Sequence, residues 1–252
     1  MKSFLLAIIL ALPAAFAAGQ VLIVADEFPA MEVLAAKLKT AEAIDTKLVK
    51  QTEIPADLAQ FRAMVVYIHG DMKDAAEKAF IGYARNGGRL ILLHHSISSG
   101  KRRNQYWTPF VGVNLPFGEF ESGGYRWIDP VNLDVVNLAP GHYVTSHNIK
   151  YDAKIRYTRS DVEGGEKEYD GFHLEETEVY LNHVFLEPHQ ILLGLKYKDE
   201  KTGKTYMQDR AGWYKRAGKG HLYYFMAGHS VKEFQNPVYV QMVVNSITAT
   251  LD

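Results

Sequence analysis

Three short, almost uninterrupted apolar runs constrain the fold of this chain more than any other feature. They cover residues 21–25, 63–68 and 89–93. Because polar residues do not alternate within them, each run predicts a strand that is covered on both faces, as in a parallel sheet. Helical spacing of apolar residues predicts helices over residues 29–39 and 72–85, the second with Asp71 as its N-cap. This alternation predicts an α/β fold with a doubly wound, mostly parallel sheet and helices on both faces.

Beyond this unit the chain contains a loop-rich middle and a second group of strands. Residues 96–169 are rich in glycine, aromatic and charged residues, which predicts an insertion with one strand near residues 132–136. Asn236 followed by Pro237 predicts the N-cap and first residue of a closing helix. No linker divides residues 19–252, so we expect a single domain. Further strands are predicted over residues 172–181, 191–197, 211–215 and 221–226.

The first residues of the chain match the pattern of an export signal. Lys2 is followed by an apolar run over residues 4–12 and by small residues that end in an Ala-x-Ala motif at Ala17. The apolar run is too short to span a membrane comfortably. We therefore expect a signal peptide over residues 1–18, cleaved near Ala17 or Ala18. The mature protein is expected in the periplasm or outside the cell, with no membrane partner.

The composition excludes several kinds of chemistry. The sequence contains no cysteine, which excludes disulfides, thiolate metal sites and a cysteine nucleophile. Its 28 basic and 29 acidic residues give a formal net charge of -1, so we expect no nucleic-acid partner. The glycine pairs of the chain also lack the spacing of phosphate-binding loops.

Histidines follow the ends of three predicted strands. His69, the pair His94-His95 and His229 each stand at or just after the carboxyl end of an apolar run. In a parallel sheet these ends share one edge, where open α/β folds bind ligands, so the side chains are expected to meet in one crevice. Because side chains alternate along a strand, His94 and His95 face the same crevice only if a turn starts at His95. Solvated or capping histidines are the alternative interpretation.

Carboxylates in a later strand add a second candidate group. Strand alternation places Glu176 and Glu178 on one face and Glu175 on the other, as an acid/base pair or as a solvated edge. With His95 and His229, Glu178 forms a set that suits acid/base chemistry or a divalent metal site. The HExxH spacing of a helical zinc site is absent from the sequence.

Aromatic side chains are concentrated in the middle region, next to Arg126. They would stack on the faces of sugars, or they would pack on one another within the loop. A serine nucleophile is disfavoured because Ser96, after the third apolar run, lacks a GxSxG elbow. The aromatic residues of this region are Tyr106, Trp107, Phe117, Tyr125 and Trp127.

Several sequence blocks, in order along the chain, resemble the ThuA-like (trehalose utilisation) family. Residues 87–96 are similar to the family's glycine pair, apolar strand and LHH turn, and residues 121–126 resemble its GGRY segment with tyrosine and arginine exchanged. Residues 142–145 resemble its HPVT block with tyrosine in place of proline. Residues 178–180 fall at its DExY motif, where threonine replaces the aspartate. The last block, residues 218–237, is similar to the pattern GKGRVxY…GH…NP.

This resemblance implies a class I glutamine-amidotransferase-like fold with a flavodoxin-like sheet. Amidotransferases of that fold carry a cysteine on the turn after a buried strand, whereas this chain has His94-His95-Ser96 there. Amidotransferase activity is therefore not expected. The resemblance implies a role in the metabolism of sugars, especially trehalose and oxidised (keto) sugars, with a small saccharide as the ligand.

The resemblance and the strand-end residues together predict an exported protein that acts on trehalose, a related glycoside or a keto-sugar. The predicted catalytic residues are His95, His229 and Glu178, which would transfer protons or bind a divalent metal. Isomerisation, elimination and hydrolysis all stay open, as does the oligomeric state. The alternative is a carbohydrate-binding protein without catalytic activity that uses the same crevice. The predicted substrate-binding residues are His94, Tyr125, Arg126 and Tyr180.

Overall fold

The computed structural model describes residues 19–250, so the predicted signal peptide over residues 1–18 lies outside the described residues. The strands are β1 (Val21–Ala25), β2 (Thr46–Val49), β3 (Ala63–Tyr67), β4 (Arg89–Leu93), β5 (Val113–Asn114), β6 (Arg126–Asn137), β7 (Ala153–Tyr157), β8 (Lys167–Leu181), β9 (Val184–Phe185), β10 (Gln190–Lys198), β11 (Thr205–Ala217) and β12 (Gly220–Phe225). The helices are α1 (Pro29–Glu42), α2 (Asp74–Arg85), α3 (Trp107–Val111), α4 (Tyr143–Ser146), α5 (Val231–Gln235) and α6 (Pro237–Thr248). Within the described residues, no helix is both long and apolar enough to cross a membrane.

Five parallel strands form one half of the main sheet, in the order β2-β1-β3-β4-β12. This is the strand order of flavodoxin-like folds, and it confirms the predicted doubly wound α/β class. All residues of β1, β3 and β4 are buried, as their apolar sequences predict. Helices α1 and α6 pack against each other, whereas α2 packs on β4 and β12. Because the β1–β2 and β3–β4 connections run in opposite directions along the sheet, right-handed crossovers place α1 and α2 on opposite faces.

The other half of the main sheet is antiparallel. From β12 the order continues β11-β10-β6-β8-β7, and every neighbouring pair is antiparallel. The sequence pattern predicts shorter strands than the structure contains, because β6, β8 and β11 have 12, 15 and 13 residues. Strands with one solvated face carry a weaker apolar signal than covered ones, which explains the difference. Residues 96–169 are accordingly more than an insertion of loops, since they supply β6 and β7 to the sheet.

Strands β6 and β8 extend beyond the rest of the antiparallel half. β10 pairs with β6 only over residues 133–137, so residues 126–131 of β6 pair with residues 177–181 of β8 alone. Register shifts on both sides of Val131 mark bulges, which bend and twist a strand pair. We call residues 126–131 and 177–181 the β6–β8 arm. Through this bend, Glu178 of the arm contacts His94 at the carboxyl edge of the parallel strands.

The start of α2 differs from the predicted one. The helix begins at Asp74, and its N-cap is Lys73 rather than Asp71. The Asp71 carboxylate instead pairs with Arg103 at 2.6 Å, and the Lys73 N–H donates to Gln51 Oε1 at 2.8 Å. Within the described part of the chain, the N-terminus of α2 thus has no side-chain cap hydrogen bond, and Gln51, distant in sequence, instead fixes the backbone of its N-cap residue.

The closing helix α6 begins as the sequence predicts. Asn236 is its N-cap, and the side-chain oxygen of this residue accepts from the N–H groups of Val238 and Tyr239 at 2.9 and 3.1 Å. Pro237 occupies the first helical position, where its missing N–H costs nothing.

Candidate functional site

Four side chains from three parts of the fold meet at the carboxyl edge of the parallel strands. His94 and His95 follow β4, His229 follows β12, and Glu178 comes from the β6–β8 arm. Glu178 Oε2 lies 2.8 Å from His94 Nε2, 3.3 Å from His95 Nε2 and 3.5 Å from His229 Nδ1. We call these four residues the His–Glu cluster. The strand-end rule predicts that the histidines share one edge, and the structure places all four side chains in contact.

A sharp turn allows both neighbouring histidines to face the cluster. Strand β4 ends at Leu93, and a 3-10 turn over residues 94–97 begins immediately after it. His94 has a φ of 40°, in the left-handed region that non-glycine residues rarely adopt. The turn therefore starts at His94, one residue earlier than strand alternation requires. Tyr224 Oη donates to the His94 carbonyl at 3.2 Å and supports this conformation.

The hydrogen bonds of His94 define which of its ring nitrogens carries the proton. Nδ1 lies 2.5 Å from the carbonyl oxygen of Met226, which only accepts, so Nδ1 is the donor. In the neutral ring Nε2 then presents a lone pair, which faces Glu178 Oε2 at 2.8 Å and His229 Nδ1 at 3.1 Å. A lone pair and a carboxylate at this distance need a proton or a metal cation between them. The His–Glu cluster is therefore built around a positive charge.

The spacing of the donor atoms suits a tetrahedral metal ion. One ligand atom from each of the four residues lies within 4.8 Å of the other three. Bonds of about 2.0–2.1 Å, usual for zinc with imidazole and carboxylate, give tetrahedron edges of about 3.3–3.4 Å. Four of the six separations between donor atoms run from 2.8 to 3.5 Å, and the other two, between His95 and the other histidines, are at most 4.8 Å. The four donor atoms thus lie close enough together to share one metal ion.

Burial and mutual contact shift the pKa values of the cluster in opposite directions. Burial opposes ionisation of Glu178, but hydrogen bonds from His229, His94 and His95 outweigh it and hold the pKa of the carboxyl well below its usual range. Burial lowers the pKa of His95 to about 4, although the contact with Glu178 opposes that shift. The hydrogen bond between His229 and Glu178 outweighs burial and raises the pKa of His229 above its ordinary value. An ionised Glu178 beside a neutral His95 is the state that binds a cation.

Two tyrosines form one wall of the cluster. Tyr180 Oη donates to Glu178 Oε2 at 3.0 Å, and its ring stacks on His94 with 4.9 Å between ring centres. The Tyr125 ring lies 5.9 Å from the Tyr180 ring, and its buried hydroxyl has no hydrogen-bond partner among residues 19–250. Burial, reinforced by the charge of Glu178, raises the pKa of both hydroxyls, so both stay protonated. The unpartnered hydroxyl of Tyr125 is thus suited to donate to an oxygen of a bound molecule.

Arg126 and Trp107, which the sequence places in a sugar-binding site, have different surroundings in the fold. Arg126 begins the β6–β8 arm and is exposed, with its guanidinium 5.8 Å from the ring centre of Phe120, so its predicted role in substrate binding stays a prediction. Trp107 is fully buried, and its Nε1 donates to the Ser96 carbonyl at 2.7 Å. The Trp107 ring is therefore part of the core and offers no face to a sugar.

The structure corrects the predicted pairing of Glu176 with Glu178. At this point β8 contains one residue more than β6, and Glu176 has a φ of 53°. The bulge interrupts the alternation of side chains on which the prediction rests. As a result Glu175 and Glu176 are both exposed and both pair with Lys232, whereas Glu178 is buried.

The loop after β3 places His69 at the mouth of the cluster. The His69 ring stacks on His95, with 3.7 Å between ring centres, and is about half exposed. The Asp26 carboxylate accepts from the N–H groups of His69 and Gly70 at 2.8 and 2.7 Å. The buried ammonium of Lys101 donates to the Gly70 carbonyl at 2.6 Å. Two charged side chains thus fix the backbone that carries His69.

Some of these supporting residues could have been found from the sequence and others could not. Asp26 follows β1 at the same sheet edge, so the rule that selects His69 also points to it. Lys101 and Asp129 lie in the middle region, where weak periodicity gives no indication of their neighbours. Only the fold brings Asp129 Oδ1 to 3.9 Å from His229 Nε2.

An open groove adjoins the cluster along the β6–β8 arm. Its volume is about 1410 Å³, and Tyr125, Trp127 and Asp129 are among the residues that line it. Asp129 Oδ1 lies 3.9 Å from His229 Nε2, so this end of the groove borders the cluster, although none of the four cluster residues lines it. Trp127 is 54% exposed and presents an aromatic surface on which a sugar ring can stack. A second groove of about 1080 Å³, beside α2, is lined by other residues, away from the β6–β8 arm.

Comparison with known proteins identifies a matching family and a shared fold. The model of the ThuA family, described as trehalose utilisation, matches residues 21–248. A ThuA-like protein from Parabacteroides merdae ATCC 43184 has a TM-score of 0.65 and 14% identity, over 92% of this chain and 91% of that chain. A ThuA-like protein from Bacteroides uniformis ATCC 8492 has a TM-score of 0.59 and 16% identity, over 94% and 92%. No curated protein matches the sequence. At these identities the structural similarity shows the fold alone.

We predict that His95 makes the metal-free protein less stable in acid. Its pKa is about 4 in the fold against an ordinary value of 6.5, so between these values the unfolded chain binds the proton more readily. From about pH 7 to about pH 5 this residue should therefore lower the free energy of unfolding by about 2 kcal/mol. Urea unfolding in the presence of a chelator measures the effect.

The comparison requires two variants. His95→Gln should lose this part of the pH dependence, whereas His173→Gln, at an exposed histidine paired with Asp134, should keep it. An equal fall in stability for His95→Gln and the unmodified protein would contradict the prediction.

Proposed function

The chain belongs to the ThuA family, which is described as trehalose utilisation, and from this membership we propose that it acts on carbohydrate through a divalent metal held by the His–Glu cluster. The observation that carries the proposal is the position of His94, whose Nδ1 is bonded to the Met226 carbonyl while its Nε2 faces the Glu178 carboxylate at 2.8 Å. A metal cation would satisfy both groups at once. The bond from His94 Nδ1 to the Met226 carbonyl is the outer contact that metal-binding histidines usually make.

The donor set indicates the class of metal. Three imidazoles and one carboxylate suit zinc and other first-row divalent ions, whereas calcium and magnesium prefer sites made of oxygen atoms. Cysteine is absent from the whole sequence, so no thiolate competes as a ligand. We therefore propose zinc or a similar transition metal.

The proposed chemistry follows from the groups around the cluster. A metal bound by all four residues would polarise a carbonyl or hydroxyl oxygen of the sugar by accepting it as a fifth ligand, an expansion that zinc allows. The Tyr125 hydroxyl, buried and without a partner, would donate to a neighbouring substrate oxygen. Sugar isomerisation, elimination next to a carbonyl and hydrolysis are the reactions that such a site supports.

Two other mechanisms are less well supported. Ser96 is buried, and its hydroxyl donates to the carbonyls of Val66 and Leu93, so it is a poor nucleophile. Glutamine amidotransferase activity is not proposed because the chain has no cysteine for the nucleophile.

We predict that the purified protein, loaded with zinc and dialysed, retains about one metal ion per chain. His95→Ala and His229→Ala should each lose most of it, because each removes one of four ligands and leaves a gap in the cluster. Elemental mass spectrometry of the protein measures this directly, and turnover of saccharides should fall in parallel.

The control is His173→Ala, which removes an exposed histidine outside the cluster and should keep the metal. A loaded, correctly folded protein without metal would overturn the proposal. So would a His229→Ala variant that binds as much metal as the unmodified chain.

A second candidate function is carbohydrate binding without catalysis, and the exposed face of Trp127 favours it. For this function we predict that Trp127→Ala weakens saccharide binding about 10-fold, the loss expected when one aromatic stacking contact is removed. Calorimetric titration with trehalose and other oligosaccharides measures the affinity. Trp107→Phe, which changes a ring in the core, is the matched control. Saccharide binding with no turnover of any sugar would favour this function over the metal-dependent one.

We also propose that the protein is exported. The support is the sequence of residues 1–18, with Lys2, a short apolar run and Ala-x-Ala at Ala17. We predict that the mature protein recovered from a bacterial periplasm begins at residue 18 or 19. N-terminal sequencing tests this, and an uncleaved chain found in the cytoplasm would contradict it.

A further inference from the structure

One buried carboxylate joins the two segments that carry Glu178 and His229. Glu233 of α5 is only 2% exposed. Its Oε1 accepts from Thr177 Oγ1 at 2.9 Å, and its Oε2 accepts from the N–H of Gly228 at 2.7 Å. Thr177 directly precedes Glu178, and Gly228 directly precedes His229. The Glu233 side chain is thus bonded to the residue directly before Glu178 and to the residue directly before His229.

We propose that Glu233 is a positioning residue that sets the separation of Glu178 and His229 for metal binding. This inference rests on the proposed function, since it assigns a role in the same site. Hydrogen bonds of the sheet do not set this separation, because β8 pairs with β6 and β7, whereas β12 pairs with β4 and β11. The two segments therefore need a separate connection.

The other hydrogen bonds of the His229 loop lead elsewhere. Tyr239 Oη donates to the Ala227 carbonyl at 2.6 Å and ties the loop to α6. Tyr67 Oη donates to the His229 carbonyl at 3.3 Å and ties it to β3. Gly228 has a φ of 119°, and a Cβ there would lie 2.7 Å from Tyr239 Oη, so the loop is closely packed on α6. Neither of these two hydrogen bonds involves a residue of the β6–β8 arm.

A second link between α5 and β8 lies at the surface. Lys232 pairs with Glu175 and Glu176 at 3.2 and 3.3 Å, and all three side chains are at least half exposed. Water and salt screen exposed ion pairs, so this link holds the arm only weakly. It does provide a matched control, since its two glutamates lie on β8, the strand that also carries Thr177 and Glu178.

The test is Glu233→Met in the full chain, with binding measured by titration of the metal-free protein with Co²⁺. Methionine has a similar length but lacks both carboxylate oxygens, so the bonds from Thr177 and Gly228 are lost, whereas a glutamine amide could accept from Gly228 and donate to the Thr177 hydroxyl. We expect Co²⁺ affinity to fall about 10- to 100-fold, the usual effect of removing an outer contact of a metal site. The visible absorption spectrum of the Co²⁺ complex should also change, because the ligand geometry changes. A merely structural role would leave that spectrum as it is.

Two further variants make the test specific. Thr177→Val removes one arm of the connection and keeps the shape of the side chain, and it should lower affinity less than Glu233→Met. The double variant should be no weaker than Glu233→Met alone, because both changes break one connection. Glu176→Met, the exposed control, should leave affinity and spectrum unchanged.

The outcomes separate this inference from the proposed function. If the unmodified protein binds neither Co²⁺ nor Zn²⁺, the proposed function fails and this inference fails with it. If it binds and Glu233→Met has the same affinity and spectrum, only this inference is overturned. Should Glu233→Met not fold, Thr177→Val decides: weaker binding at an unchanged melting temperature supports the role, and unchanged binding overturns it.

Discussion

The close approach of His94 Nε2 to the Glu178 carboxylate is the interaction on which the rest of the site depends. Both groups are buried, and a buried carboxylate costs several kcal/mol unless a positive charge or hydrogen bonds compensate it. The surrounding contacts keep the two groups facing each other: the Met226 carbonyl fixes the ring of His94, and Tyr180 donates to the carboxylate. The arrangement is stable only with a cation or proton at its centre, so the charge requirement organises the site.

The position of Glu178 depends on an unusual use of the sheet. Residues at the ends of adjacent parallel strands come together automatically, as the loops after β3, β4 and β12 do. Strand β8 is not adjacent, because β11, β10 and β6 separate it from β12. Only the bulged β6–β8 arm, bent at Val131, crosses that distance. The antiparallel half is therefore required to complete a site whose histidines all come from the parallel half.

The limits of the sequence prediction follow from the same distinction. Covered strands have a strong apolar signal, so Val21–Ala25 and Arg89–Leu93 are predicted to the residue, and the strand-end rule then selects the histidines. The bulge at Glu176 depends on one residue with a positive φ, which no periodicity reveals, and the predicted shared face of Glu176 and Glu178 is wrong for this reason. Trp107 belongs to the core because of tertiary packing, which the count of aromatic residues in a loop does not reveal.

Two strained residues help to bring the four side chains together. His94 has a φ of 40°, and Glu176, two residues before Glu178, has a φ of 53°. Such conformations cost of order 1–3 kcal/mol for residues other than glycine, and they persist only where surrounding contacts enforce them. Strain is not confined to the cluster, since Ala43, Asn148 and Asn182 also have a positive φ. At His94, however, the strained turn brings two neighbouring histidines to one carboxylate, and at Glu176 the bulge separates the exposed Glu175 and Glu176 from the buried Glu178, so at these two positions the strain serves the geometry of the cluster.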